Sequence, residues 1–287
     1  EVLMLDKEMV LKAVDIGGAS IPYLSFDGKG PTIVFLHATG FLPWLWHPIA
    51  REFKSSYRIF APYYCDHRAT DPENGGFQWM QLAEDLVKFC ECMNIKTPYM
   101  VGHSMGGAIM TIAAGKYGLD IKKMVLIEPI FLPQEIYNIQ MRVKDHPLAG
   151  KSIHRRNFWE NASEAKKYLK SKRLFQSWDD EMLDLYVEYG MMPSNAGGLE
   201  LACHPKREAS LFMGSMGYDP WPILPEVKCP VLVLEGEHTE NKGFIDQKKA
   251  AAAFSDGRYQ MVKDAGHLIP MEKPKETTKI IREFFIA

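Results

Sequence analysis

The 287-residue chain predicts an α/β fold, a mostly parallel, doubly wound sheet with an inserted helical segment. Two observations carry this. Short continuous apolar runs, the pattern of strands covered on both faces, alternate with amphipathic stretches of 3.6-residue period. One long stretch then breaks the alternation. The strand runs are Thr32–Leu36, Tyr57–Ala61, Tyr99–Gly102, Met124–Ile127 and Val231–Glu235, with Arg258–Val262 a weaker, outer strand. Between them, Trp79–Met93 places apolar residues at 79, 82, 83, 86, 89, 90 and 93. Met105–Tyr117 is rich in Ala and Gly, so it should pack closely on the sheet. Pro274–Phe285 opens with proline at a favoured first helical position.

From Phe131 to about Leu224 no good strand run appears, and the length is too great for a loop. Helical patches at Ala162–Ser171 and Asp179–Tyr189 suggest a helical cap. The expected organisation is a core in two parts, 1–130 and 225–287, around a cap at 131–224.

Composition narrows the function classes. Lys and Arg number 34 against 36 Asp and Glu, a formal net charge of −2, so no basic field is available for nucleic acid or an anionic membrane. At 46% hydrophobic and 24% charged residues the chain is of ordinary globular composition, not disordered or fibrous. The five cysteines (Cys65, Cys90, Cys92, Cys203 and Cys229) are too scattered for a disulfide framework, and no Cys/His cluster has zinc spacing. Reduced thiols in a cytoplasmic protein are expected. Glu1–Val10 is acidic rather than basic ahead of an apolar run, so no signal peptide is read there. No apolar stretch reaches the ~18 residues of a membrane span. The expected partner is a small-molecule substrate, with no nucleic acid, no membrane insertion, no metal and no cofactor. A homodimer is left open.

The strongest chemical signal is Gly102-His103-Ser104-Met105-Gly106, a G-x-S-x-G pattern between a predicted strand and a predicted helix. A serine hydroxyl is a weak nucleophile and needs a base with a pKa near 7. Among nine histidines, the order Ser–acid–His selects His267, in Asp264-Ala265-Gly266-His267 between the last strand and the final helix. His37-Ala38-Thr39-Gly40-Phe41 follows the first parallel strand, where backbone N–H groups face a developing oxyanion. The amide of Met105, with that of Ala38 or Thr39, would form the hole. Two carboxylates fit the order for the orienting acid: Glu128, after Met124–Ile127, and Glu240, after Val231–Glu235. Glu237 is a poorer third.

Carried by this elbow, the late histidine and the loop after the first parallel strand, the sequence resembles the α/β-hydrolase superfamily with a helical cap, from Thr32 to Phe285. In many members the acid is an Asp three residues past the glycine after the late strand, and here that place holds Thr239. Some members, including haloalkane dehalogenases and zearalenone-lactonase-like enzymes, carry a glutamate after the preceding core strand. Glu128 stands there, 24 residues past Ser104, so the resemblance favours it over Glu240. Dehalogenases and epoxide hydrolases of this fold use Asp at the elbow, and Ser104 disfavours both activities. Cys65-Asp66-His67-Arg68-Ala69-Thr70-Asp71 resembles the family's D-x-R-G-x-G stretch, with Ala69 in place of the glycine, and is read as structural.

The resemblance implies a cofactor-free serine hydrolase acting on an ester or lactone of a small, largely apolar substrate. A thioester or a C–C bond of a vinylogous diketone would suit the same machinery, and a non-hydrolytic binding or receptor-like protein is the reading of another class. Trp44, Trp46 and Phe41 are candidate pocket walls. His154-Arg155-Arg156 has the chemistry to clamp a carboxylate, but a solvated basic face is the more ordinary reading. The methionines in and near the cap read as core filling.

Overall fold

The computed structural model describes residues 7–137 and 139–287. Positions 1–6, part of the segment read for a leader, and position 138 within the predicted cap lie outside the described residues. In chain order the strands are β1 (Lys12–Asp15), β2 (Ser20–Phe26), β3 (Thr32–Leu36), β4 (Arg58–Pro62), β5 (Tyr99–His103), β6 (Lys123–Ile127), β7 (Met191–Pro193), β8 (Leu199–Leu201), β9 (Val231–Gly236) and β10 (Gly257–Val262).

Eight of them form one sheet in the order β1-β2-β4-β3-β5-β6-β9-β10. From β4 to β10 all pairings are parallel, while β2 runs antiparallel to both β1 and β4. The sequence reading found the parallel strands and missed β1 and β2. Neither is a continuous apolar run: β1 is largely exposed, and β2 carries Ser20, Pro22 and Ser25. β3 and β9 are buried throughout, as strands with helices on both faces must be. β10, at the edge, has the mostly exposed pattern expected of an outer strand.

The chain runs from β3 to β4 on one side and then crosses to β5 on the other side of β3. This reversal opens a crevice at the carboxyl ends of β3 and β5, the place where open α/β sheets bind ligands. The helix Trp79–Cys92 buries Trp79, Leu82, Ala83, Leu86, Phe89 and Cys90, the stripe its periodicity predicts. The helix Met105–Gly115 is buried from Met105 to Ala113 and follows β5 directly. Among the described residues no helix is long and apolar enough to cross a membrane.

Between β6 and β9 the chain builds the helices Ala149–Ile153, Ala162–Lys170, Asp180–Tyr189 and Pro205–Met213. Asn161 and Asp179 cap two of them by accepting the N–H groups of Glu164 and Glu181. This insert also contains the short antiparallel pair β7–β8, which the sequence reading did not anticipate. Each strand is three residues long, too short to show a periodicity. The insert is fastened to the sheet domain by bonds from Phe77 N–H to Ser210 O (2.8 Å), Trp79 Nε1–H to Leu211 O (2.8 Å) and Asp179 N–H to Met271 O (2.9 Å).

Candidate active site

Ser104 is the single residue between β5 and the helix that follows. Its backbone sits at φ 55°, ψ −114°, a region that stores roughly 1–3 kcal/mol of strain in a non-glycine residue. Two glycines make the turn possible. A Cβ on Gly102 would lie 2.7 Å from the backbone of Gly106, and one on Gly106 would lie 2.2 Å from the carbonyl oxygen of Leu36. The helix start is thereby pressed against the end of β3. Ser104 N–H donates to Ile127 O at 2.9 Å, tying the turn to β6.

His267 Nε2 lies 3.1 Å from Ser104 Oγ, and Nδ1 lies 3.1 Å from Glu128 Oε2. The loop carrying His267 is held at several points. His103 Nε2–H donates to the His267 carbonyl (2.9 Å), Gly266 N–H to Glu272 (2.8 Å), and His238 N–H to Ala265 O (2.9 Å).

Glu128 is the first residue past β6, fully buried, with φ 49°. Its Oε1 accepts Gly236 N–H (2.7 Å), and its Oε2 accepts the Thr239 hydroxyl (2.8 Å) as well as facing His267. Thr239, the departure from the family's late-Asp position, thus turns its hydroxyl onto the carboxylate supplied from β6. Glu240 is exposed, and Glu237 accepts Asp264 N–H (3.1 Å) at the surface. Neither contacts His267 among the described residues. Asn241 places its side-chain amide 3.0 Å from His267 Nδ1. With Nδ1–H donating to Glu128, the amide oxygen is the atom that fits there.

The loop after β3 is ordered by His37. Its Nε2 accepts Tyr64 N–H (2.9 Å), so Nδ1 carries the proton and donates to Ala38 O (2.7 Å). Phe41 N–H donates to the same carbonyl. A trans peptide then points the Thr39 N–H the opposite way. The amides of Thr39 and Met105 have no hydrogen-bond partner among the described residues. Burial holds His37 neutral, with its pKa lowered to about 4. Burial, reinforced by neighbouring His267, lowers that of His103 to about 3.

The three proposed wall residues part company. Trp46 is buried against Phe35 of β3. Trp44 is stacked on Tyr189 of the insert, and its indole N–H donates to Met9 O (2.8 Å). Phe41 alone is partly exposed, packed on Trp178 and Tyr186 of the insert. Arg155 departs from the solvated-face reading. It turns inward and donates through Nη1 to both oxygens of buried Glu208, at 2.9 Å each. Arg156, by contrast, is exposed and pairs with Glu164. Arg68 makes a two-pronged pair with buried Asp85 (2.8 and 2.7 Å), and His67 adds a third contact. Asp66 is exposed.

Glu237, His238 and Asp264 bring potential metal-ligand atoms within 4.8 Å of one another on an exposed turn, apart from the Ser104–His267 line. Two surface grooves of about 600 Å³ lie elsewhere, and neither is lined by Ser104, His267 or Glu128. Ser104 is 6% exposed and the His267 side chain 19%, so the line is buried at the serine and reached by solvent at the imidazole.

A family model described as the alpha/beta hydrolase family matches residues 33–280. The chain belongs to this family. A relative from Mesorhizobium japonicum, 2-(acetamidomethylene)succinate hydrolase, is 22% identical over 282 residues, spanning 97% of this chain and 96% of the relative. A crystal structure of E-2-(acetamidomethylene)succinate hydrolase superposes with a TM-score of 0.81 at 21% identity, covering 97% of this chain and 99% of the other. An enol-lactonase from Burkholderia xenovorans superposes with a TM-score of 0.71 at 19% identity, over 96% and 100%. The structural likenesses speak to the fold. The alpha/beta hydrolase assignment, with these names, supports a hydrolase.

Sequence reasoning overlooked His37, His103, Thr239 and Asn241 as members of the site. His103 lies inside the elbow motif, and Thr239 stands at a family acid position, so both had a signal. Asn241 had none, because its approach to His267 depends on how the turn after β9 folds.

Proposed function

We propose that this alpha/beta hydrolase cleaves a carboxylic ester or lactone of a small, largely apolar substrate through an acyl-enzyme, with Ser104 as nucleophile, His267 as base and Glu128 as the orienting acid. The observation that carries the reading is the hydrogen-bonded line Glu128–His267–Ser104 at the crevice between β3 and β5.

His267 Nε2 takes the Ser104 hydroxyl proton as Oγ attacks the carbonyl carbon. The negative oxygen of the tetrahedral intermediate is received by the amides of Met105 and Thr39, at the N-terminus of the helix Met105–Gly115. Each such donor is worth about 100- to 1,000-fold in rate. The carbon–oxygen bond to the leaving alcohol breaks, and His267 returns its proton to that oxygen. A water then attacks the acyl carbon with His267 as base, Ser104 recovers its proton, and the acid departs. Glu128 stays ionised throughout and stabilises the imidazolium. In a lactone, leaving alcohol and acid remain one molecule.

The 131–224 insert acts as the cap in this reading. Phe41, packed on Trp178 and Tyr186 of the insert, walls the acyl side, and the cap sets which substrates fit.

The test is intact-mass analysis after fluorophosphonate treatment, with peptide mapping. A one-to-one adduct on Ser104, absent from Ser104→Ala, is expected. A panel of aryl esters, lactones, thioesters and diketones then separates the bond types. No adduct with the fluorophosphonate or with a smaller sulfonyl fluoride, together with no turnover across the panel, would overturn the reading.

A further inference from the structure

We infer that Arg155 is a binding site for an anionic group of the substrate, so that the acyl compound carries a carboxylate at a distance from the bond to be cleaved. This rests on the hydrolase reading for the location of the bond, and on the insert for the anion site.

The site abuts the oxyanion loop. Gly40, next to Thr39, has φ 74°, and a Cβ there would lie 2.3 Å from Glu208 Oε1. The loop backbone therefore lies directly against the carboxylate that holds Arg155. Glu208 comes from the helix Pro205–Met213 and Arg155 from just past the helix Ala149–Ile153, so two separate parts of the insert converge on this point.

The pairing leaves the guanidinium usable. Both Glu208 oxygens are taken by the single nitrogen Nη1, not by the fork of two nitrogens that suits a carboxylate best. Tyr186, almost fully buried, provides a further partner. An Arg has five N–H donors, so part of the planar fork is uncommitted among the described residues. The Glu208 carboxylate offsets the burial of the cation, and the guanidinium stays protonated. The partnership fixes its orientation as well.

A second donor stands nearby. The Trp178 indole N–H is buried without a hydrogen-bond partner among the described residues. Its ring packs edge-on to Tyr186, the residue beside Arg155, and against Phe41 of the oxyanion loop. A buried N–H left unpaired is unfavourable, and an acceptor brought by the ligand would satisfy it. The pocket then reads as aromatic along Phe41, Trp178 and Tyr186, with one cationic point at Arg155. A small acid ester or acid lactone fits that description, whereas a long neutral acyl chain leaves Arg155 without an anion.

The test measures binding without turnover. Calorimetric titration of the Ser104→Ala protein compares monophenyl glutarate, an anion, with its neutral methyl phenyl diester. The anion is expected to bind about 10- to 100-fold more tightly. Arg155→Met/Glu208→Gln, which removes both charges together, is expected to abolish the preference. Arg155→Lys keeps the charge but not the fork, and is expected to retain only a fraction of it; this variant decides if the double variant does not fold. Equal binding of acid and diester, or an undiminished preference in the folded variants, overturns the inference. Its failure is distinct from failure of the hydrolase reading. Ser104 labelling without an anion preference removes only the anion site. An Arg155-dependent preference without labelling or turnover keeps the site and removes the hydrolase.

Discussion

Ser104 and Glu128 stand side by side in register. β5 and β6 pair with His103 opposite Ile127, and each of the two residues is the next one along. Both have positive φ, 55° and 49°, and each donates its N–H to the neighbouring strand, Ser104 to Ile127 O and Glu128 to Leu234 O. Two parallel strands thus end at the same level, and each turns its side chain out of the extended path there. His267 spans the gap between the two side chains.

The backbone geometry predicts a trade between stability and function at Ser104. Ser104→Ala removes the hydroxyl and keeps the strain, whereas Ser104→Gly removes both. In the proposed mechanism each is expected to lose activity by at least about 1,000-fold, since that hydroxyl would form the acyl-enzyme. The glycine variant is expected to melt about 2–4 °C higher than the alanine variant, from roughly 1 kcal/mol of relieved strain. Thermal unfolding of the two, side by side, is the check, and an alanine variant as stable as the glycine one refutes the strain argument.

The acid is tested by Glu128→Gln against Glu240→Gln. At position 128 the carboxylate receives three donors, the Gly236 N–H, the Thr239 hydroxyl and the His267 ring. A glutamine amide has the same shape, but its NH₂ meets one of those donors head-on and carries no charge to balance the imidazolium. A fall in kcat of about 1,000- to 10,000-fold is expected. Glu240 is exposed and its change should stay within about twofold, as for most surface substitutions. Steady-state kinetics with one ester decides, and the reverse ranking moves the acid to the later loop.

What could be read in advance divides along physical lines. The parallel strands and the helix Trp79–Cys92 announce themselves because burial on both faces, or on one stripe, forces a pattern into neighbouring residues. Ser104 and His267 were readable because the turn needs glycine on either side and the chain order limits the candidates. Glu128 came from family position, since nothing local distinguishes it from Glu240; only the folded turn after β9 exposes one and buries the other. Arg155 was hidden for the same reason. A basic triplet reads as a solvated face, and the partner that draws Arg155 inward, Glu208, lies 53 residues further on. The β7–β8 pair escaped because its strands are three residues long, β1 because it is largely exposed, and β2 because Ser20, Pro22 and Ser25 break its apolar run.

The buried histidines predict how stability depends on pH. His37 and His103 titrate in the unfolded chain near 6.5, but burial lowers them to about 4 and about 3 in the folded protein. Between these values the unfolded state binds more protons, so stability falls as pH falls. Above pH ~6.5 neither contributes a slope. Below it the loss grows to roughly 3 kcal/mol per histidine by pH 4. Urea unfolding at pH 7, 6, 5 and 4.5 is expected to show a declining midpoint, with the steepest part below pH 6. Asp85 does not produce this decline. Its pairing with Arg68 and His67 outweighs its burial and holds its pKa near 2, so its contribution is lost only at lower pH. His37→Gln, which retains a polar side chain without the titration, is expected to flatten the profile between pH 6 and 4.5. An unchanged slope in that variant assigns the pH dependence elsewhere.

Gly106 tests whether elbow and oxyanion loop are one mechanical unit. A Cβ at this position would lie 2.2 Å from Leu36 O and 2.9 Å from His37 O, both backbone atoms that no rotamer change can move aside. Gly106→Ala must therefore push β3's end, and with it the Ala38–Thr39 peptide, away from the helix that presents Met105. Overpacking of this kind is worth about 1–3 kcal/mol, and more where backbone is the obstacle. If the two amides receive the same oxygen, activity falls further than stability explains. A loss of about 100-fold or more in kcat, the worth of one displaced donor, is expected in protein that is still fully folded by circular dichroism at the assay temperature. His267 is held by His103 and Glu128, so Ser104 should still form a fluorophosphonate adduct, only more slowly. Folded Gly106→Ala protein with unreduced kcat separates the loop from the chemistry and removes Thr39 from the oxyanion site.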